Sequence, residues 1–299
     1  MSQDQIWKDL LRAFFEEFLT LFYPDFAKLL DFSRVKFLDK ETFTDLPKGA
    51  QRRSDLVVEV YTLEGQQRII LVHIEVEEEW RSEFPERMFD YYTLLRWRYR
   101  LRIFPIAVYL TSGRGGLVRE RYVEQVNEED VNVFTFNAIG LPALKADDYL
   151  SLDNPLAPAV SALMQPSKLG KVAQKFQSLL ALVRSGVDEA HLMLLTNVVE
   201  KYLKLDDVER VRFEELVATP EGKVVEMVVS IYEERGIEKG IEQGILRGER
   251  KTLLRQLERK FAPLPDSVRT RLEAITDAEE LDRLTDTILT AETLEDMGL

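Results

Sequence analysis

The sequence predicts a mixed α/β domain followed by a helical C-terminal region. Three observations predict it. Apolar residues recur at helical spacing in WKDLLRAFFEEFLTLFY near the start of the chain. Between residues 35 and 136, short β-branched and aromatic runs alternate with turn residues and with one long amphipathic stretch. Beyond residue 166 the helical period returns and persists among charged residues to the end. With 45% hydrophobic residues among 299, the chain has material for a sizeable core and reads as globular, not disordered.

The first helix is expected over residues 4 to 22, closed by Pro24, with Trp7, Leu10, Leu11, Phe14, Phe15, Phe18, Leu19 and Phe22 as its apolar side. A short strand over Val35 to Leu38 and a polar loop with Pro47 and Gly49 follow. DLVVEVYT, residues 55 to 62, and RIILVHIEV, residues 68 to 76, read as two strands joined by a turn in LEGQQ around Gly65. FPERMFDYYTLLRWRY reads as a helix starting near Pro85, because proline suits a first helical turn. IFPIAVYL, 103 to 110, is an apolar strand, GRGG a loop, 117 to 126 a short helix, and VNVFTF, 131 to 136, a strand. The order is helix, three strands, helix, strand, and then one more helix and strand. Pro142, Pro155, Pro158 and Pro166 mark an irregular connection. The chain thus divides into an α/β domain over 1–140, a mainly helical connecting region over 141–234, and a helical C-terminal domain over 235–299 with a break at FAPLPDS.

Composition excludes several classes. Without cysteine there is no disulfide framework and no thiolate metal site, which suits a cytoplasmic protein. MSQDQIWKDLL lacks the basic-then-apolar layout of a signal peptide, and no apolar run reaches the length of a membrane span. A formal net charge of −13 argues against a constitutive, electrostatically tight nucleic-acid binder. It leaves room for an enzyme that grips nucleic acid through a local basic patch and metal ions.

The stretch LVHIEVEEEW, residues 71 to 80, starts like a buried strand and then carries acids. Strand alternation places His73, Glu75 and Glu77 on one face and Ile74 and Val76 on the other. A turn centred on Gly65 sets Asp55 opposite Glu75, with Cβ atoms about 5 Å apart. A slip of one residue undoes this pairing, and the wide polar turn leaves two or three registers open. Adjacent carboxylates repel unless solvent screens them, one is protonated or a cation lies between them. A hard cation such as Mg²⁺ takes one or two carboxylates, a backbone carbonyl and waters, and can activate a water against a phosphodiester. The plain alternative is that the acids form the wet face of a two-sided hairpin.

This constellation resembles the PD-(D/E)XK nuclease superfamily, whose pattern is an Asp at the start of one strand and Glu-x-Lys on the next, within an αβββαβ core. Asp55 matches the Asp, Glu75 the Glu, and Glu77 the position usually held by Lys. Over residues 4 to 140 the chain is more closely similar to the Rpn family of recombination-promoting nucleases, also described as YhgA-like putative transposases. WKDLLRAFFEEFLTLFYPD, FLDKETFTDLPKG, RRSDLVVEV, LVHIEVE and FPERMFDYYTLL carry that likeness. The resemblance implies a Mg²⁺-dependent DNA endonuclease, with Mn²⁺ able to substitute, and a role in recombination. It implies Asp55 and Glu75 as metal ligands, with the Val76 carbonyl a further candidate. Glu77 departs from the family's Lys or Gln: ionised, it cannot donate a hydrogen bond, but it can bind metal or accept a proton from the attacking water. The alternative is a catalytically degenerate nuclease scaffold acting as an interaction or self-association module.

Other residues stay open. Glu41 and Asp45 reach the site or merely solubilise a loop; Glu16 and Glu17 read as surface charges; His73 reads as a structural hydrogen-bonding group. Arg87 and Tyr91, four apart on a helix, touch a phosphate and support that contact, or Arg87 pairs with Glu83 or Asp90 while Tyr91 is core. In RWRYRLRIF, Arg96 and Arg98 interleave with Trp97 and Tyr99, a pattern for nucleic-acid contact that equally suits a helix C-terminus. Gly236, Gly240, Gly244 and Gly248 form a ridge that points to close helix packing or a hinge, and to a homo-oligomer through that helix. The segment after it resembles a small domain of unknown function that often follows Rpn-like domains.

Overall fold

The computed structural model describes the backbone of residues 3–38, 56–63, 69–111 and 115–298. Two compact units divide the chain, Met1–Val228 and Val229–Leu299. The first opens with α1 (Gln3–Ala13), α2 (Phe15–Phe22) and α3 (Pro24–Ala27). Two helices share the apolar stripe expected of one. Phe14 leaves helical geometry at φ −122° and ψ 39°, yet it keeps hydrogen bonds to Leu10 and Phe18, so the stripe continues across the break.

Three strands follow: β1 (Leu30–Leu38), β2 (Leu56–Thr62) and β3 (Ile69–Glu77). β1 is longer than expected because it is bulged between Asp31 and Val35, where the Asp31 carboxylate accepts from the Ser33 N–H and hydroxyl at 3.1 and 2.6 Å. β2 and β3 pair antiparallel from Leu56↔Ile74 to Tyr61↔Ile69, the register that a turn at Gly65 predicts. Gly65 and Asp55 lie outside the described residues. α4 (Phe84–Tyr99) then carries the chain back, so that β4 (Arg102–Tyr109) lies parallel to β3. β5 (Gly116–Val126) and β6 (Glu129–Gly140) form a hairpin, with β6 parallel to β4. The result is a six-stranded mixed sheet ordered β1-β2-β3-β4-β6-β5. β3 and β4 are central, and Leu71–Ile74, His73 included, and Ile106–Leu110 are buried on both faces.

The helix expected over 117 to 126 is instead strand β5. Val118 and Tyr122 pack on the cluster of Phe84, Met88 and Phe134, while Leu117, Arg119 and Arg121 are exposed, which is period-two patterning. Asn127 and Glu128 both have positive φ, 52° and 66°, the handedness that a two-residue hairpin turn needs.

Residues 141–165 form short 3₁₀ turns and α5 (Leu156–Val160), followed by α6 (Lys171–Arg184), α7 (Glu189–Tyr202) and α8 (Asp207–Val217). This region belongs to the first unit. Trp7 Nε1 donates to the Tyr202 hydroxyl at 3.0 Å, and Asn154 Nδ2 donates to the Glu17 carbonyl at 2.9 Å. α9 (Lys223–Phe261), α10 (Asp266–Ala274) and α11 (Ala278–Thr287) complete the chain. The second unit has its own core, where Leu253 and Leu257 meet Val268, Leu272, Leu281 and Leu284. A Cβ added at Gly244 or Gly248 would meet nothing within 4 Å, so that part of the glycine ridge lies open. Among the described residues no helix is long and apolar enough to cross a membrane.

Candidate functional site

Helix α4 covers the face of β3 that carries the acids. It runs against the strand: Leu95 packs on Leu71, Tyr91 meets the His73 ring edge-on with centroids 5.6 Å apart, and Arg87 pairs with Glu77. The wet-face alternative therefore does not hold, since His73 is 0% and Glu75 3% exposed. The N-terminal turn of α4 lies at the acidic end of the strand, where the positive end of the helix dipole favours carboxylates.

His73 Nε2 and Glu75 Oε1 are 2.8 Å apart, and both side chains are buried. A ring proton on Nε2 makes this bond and leaves Nδ1 buried and without a partner. Glu77 accepts from Arg87 Nη2, and the guanidinium also lies over the Phe84 ring, 4.9 Å from its centroid. Arg87 thus pairs neither with Glu83 nor with Asp90, and Tyr91 is 3% exposed beneath the helix. The Glu77 carbonyl accepts from the Leu110 N–H at 3.0 Å, so alternation along β3 turns the Val76 carbonyl toward the β2 edge.

The donor chemistry of Glu75 and Glu77 fits a hard cation, with oxygen ligands from alternate positions at the end of a central strand. Each carboxylate also has a protein partner. Among the described residues, no group of three His, Cys, Asp or Glu side chains is placed to hold a metal ion. Asp55, Glu41 and Asp45 lie outside the described residues.

The basic run is placed elsewhere. Arg96 and Arg98 are exposed in the last turn of α4, beside Trp97 at 70% exposure. Arg96 lies about 13 Å along the helix from Arg87, beyond the level of Leu71, and so at the opposite end of β3 from Glu77. On α2, Glu16 is exposed and Glu17 half-buried.

Two charged groups escaped sequence reasoning. Glu120 on β5 is 4% exposed, and its Oε2 accepts from Trp80 Nε1 and from the Tyr109 hydroxyl, each at 3.2 Å. Its Oε1 is buried without a partner. Reading 117–126 as a helix hid the alternation that points Glu120 inward. Lys201 on α7 is held below the ordinary lysine range by burial, the Glu78 carboxylate opposing and the Lys204 charge assisting. No local signal in the sequence joins Lys201 to the end of β3. Compared with protein-family models, with curated proteins and with solved structures, the chain matches none.

Proposed function

We propose that the first unit is a metal-dependent DNA endonuclease of the Rpn type, built on the PD-(D/E)XK plan and serving recombination. The observation that carries this reading is Glu75 and Glu77 at the end of central strand β3, within a helix, three strands, helix, strand order. The β2–β3 pairing ends at Leu56↔Ile74, one pair short of Asp55 and Glu75. Asp55, Glu75 and the Val76 carbonyl would hold Mg²⁺ or Mn²⁺, which when bound supplies charge neutralisation and an activated water. His73 fixes the Glu75 carboxylate through Nε2, and Tyr91 packs against the His73 ring. Arg87 places a fork of donors suited to a phosphate beside Glu77, which accepts a proton from the attacking water. Arg96 and Arg98 meet the DNA backbone away from the scissile bond.

A second reading, an interaction module on a nuclease scaffold, is favoured by one observation. Glu75 and Glu77 are already matched by His73 and Arg87, so neither requires a cation. Plasmid cleavage separates the two. The purified chain is expected to nick supercoiled plasmid with Mg²⁺ and to lose this on Glu75→Gln or Asp55→Ala. Equal cleavage by the wild type and an Asp55→Ala/Glu75→Gln double variant sinks the nuclease reading. Absence of both cleavage and Mn²⁺ binding heat leaves the interaction module.

A further inference from the structure

The unit Val229–Leu299 contains an open groove of about 750 Å³ between α9 and α10. Arg247, Arg250 and Lys251 on α9 and Arg269 on α10 line it, against one acid, Glu273. Arg269 is held by Glu258. The other three take part in none of the ion pairs among the described residues, and Arg250 Nε is buried without a hydrogen-bond partner. Arg247, Lys251 and Arg255 follow one another at four-residue spacing, where like charges repel along a helix face. An anion laid along such a stripe relieves that repulsion.

We infer that this groove docks the phosphate backbone of duplex nucleic acid. Within the groove Arg247 and Lys251 stand about 6 Å apart along α9 with Arg250 between them, and Arg255 continues the row beyond it, an elongated array of cations suited to a polyanion. Arginine forks bind phosphate oxygens in pairs. Leu272 is buried, and Leu246 and Leu254 are partly buried against the unit's own core, so the groove presents mainly the cations, Glu273 and Thr276 as polar groups. Among the described residues no aromatic ring lines the groove, so they supply no stacking platform of the kind single-strand binders use. None of the β3 acids enters this inference, which therefore stands apart from the nuclease reading.

The test is fluorescence anisotropy of a labelled duplex with the full chain in EDTA, where cleavage is absent, across a salt series. The triple variant Arg247→Gln/Arg250→Gln/Lys251→Gln is expected to bind at least roughly tenfold more weakly, with a salt slope lower by about 2–3. Arg247→Lys/Arg250→Lys, which keeps the charge, is expected to retain the slope. Lys204→Gln/Arg210→Gln/Arg212→Gln removes the same charge from exposed positions of the other unit and is expected to bind like the wild type. The inference is overturned if the wild type does not bind duplex, if the triple variant binds as the wild type does, or if either of the other variants loses as much as the triple. Binding of polyglutamate in place of duplex, lost in the triple variant, also overturns it and makes an acidic polypeptide the occupant. Duplex binding in EDTA without cleavage in Mg²⁺ leaves this inference standing and removes only the nuclease reading.

Discussion

His73 and Glu75 depend on each other because both are buried. With His73→Ala, Glu75 Oε1 loses its buried donor, a loss expected to cost about 1–3 kcal/mol in urea denaturation. In that background Glu75→Ala should cost less than in the wild type; a coupling near zero would show that the contact contributes nothing. Alternation alone put His73, Glu75 and Glu77 on one face. What it could not reveal was the cover, since α4 reaches those residues through the tertiary fold and not through neighbouring sequence. For the same reason local spacing offered Arg87 only Glu83 and Asp90, while its partner lies on another element.

Elements were easiest to recognise where period and punctuation agree. Pro85 opens α4, and the long apolar runs became the central strands β3 and β4. β5 was misread because Asn127 and Glu128 make a tight turn without glycine, and because LVRERYVEQV has enough charge to suit a solvated helix. α8 shows how local polar chemistry sets an end. Asp206 and Glu209 form a reciprocal capping box, and Lys171 Nζ donates to Glu209 at 2.8 Å. The Lys171 hydrogen bond first, and the Asp206 N–H second, hold the Glu209 carboxyl below its ordinary range. A lowered folded-state value means that this stabilisation is present above the unfolded pKa and is lost as pH falls through the folded one. Glu209→Gln is therefore expected to be less stable than the wild type at neutral pH. The gap should close as pH drops below about 4, the ordinary glutamate range. Thermal melts across pH check this, and a gap that persists in acid would remove the carboxylate from the explanation.

At the scale of the molecule, two cores imply two melting units. Leu257 is 0% exposed, and Leu257→Ala is expected to cost its unit about 2–5 kcal/mol. Calorimetry should show one transition lowered and the other unchanged; a single transition shifted as a whole would mean that the units unfold together. The sequence placed a border at residue 235, whereas the compact units divide after Val228, within α9. That border carries no turn signal, because one helix runs unbroken from Lys223 to Phe261 across it.

β5 closes one side of the described sheet, and an edge strand offers its free backbone groups to any passing chain. Its outward residues include Arg119 and Arg121, exposed in the middle of the strand. A second copy laid against this edge in register would bring guanidinium groups together, so the hairpin resists ribbon growth and aggregation from that side.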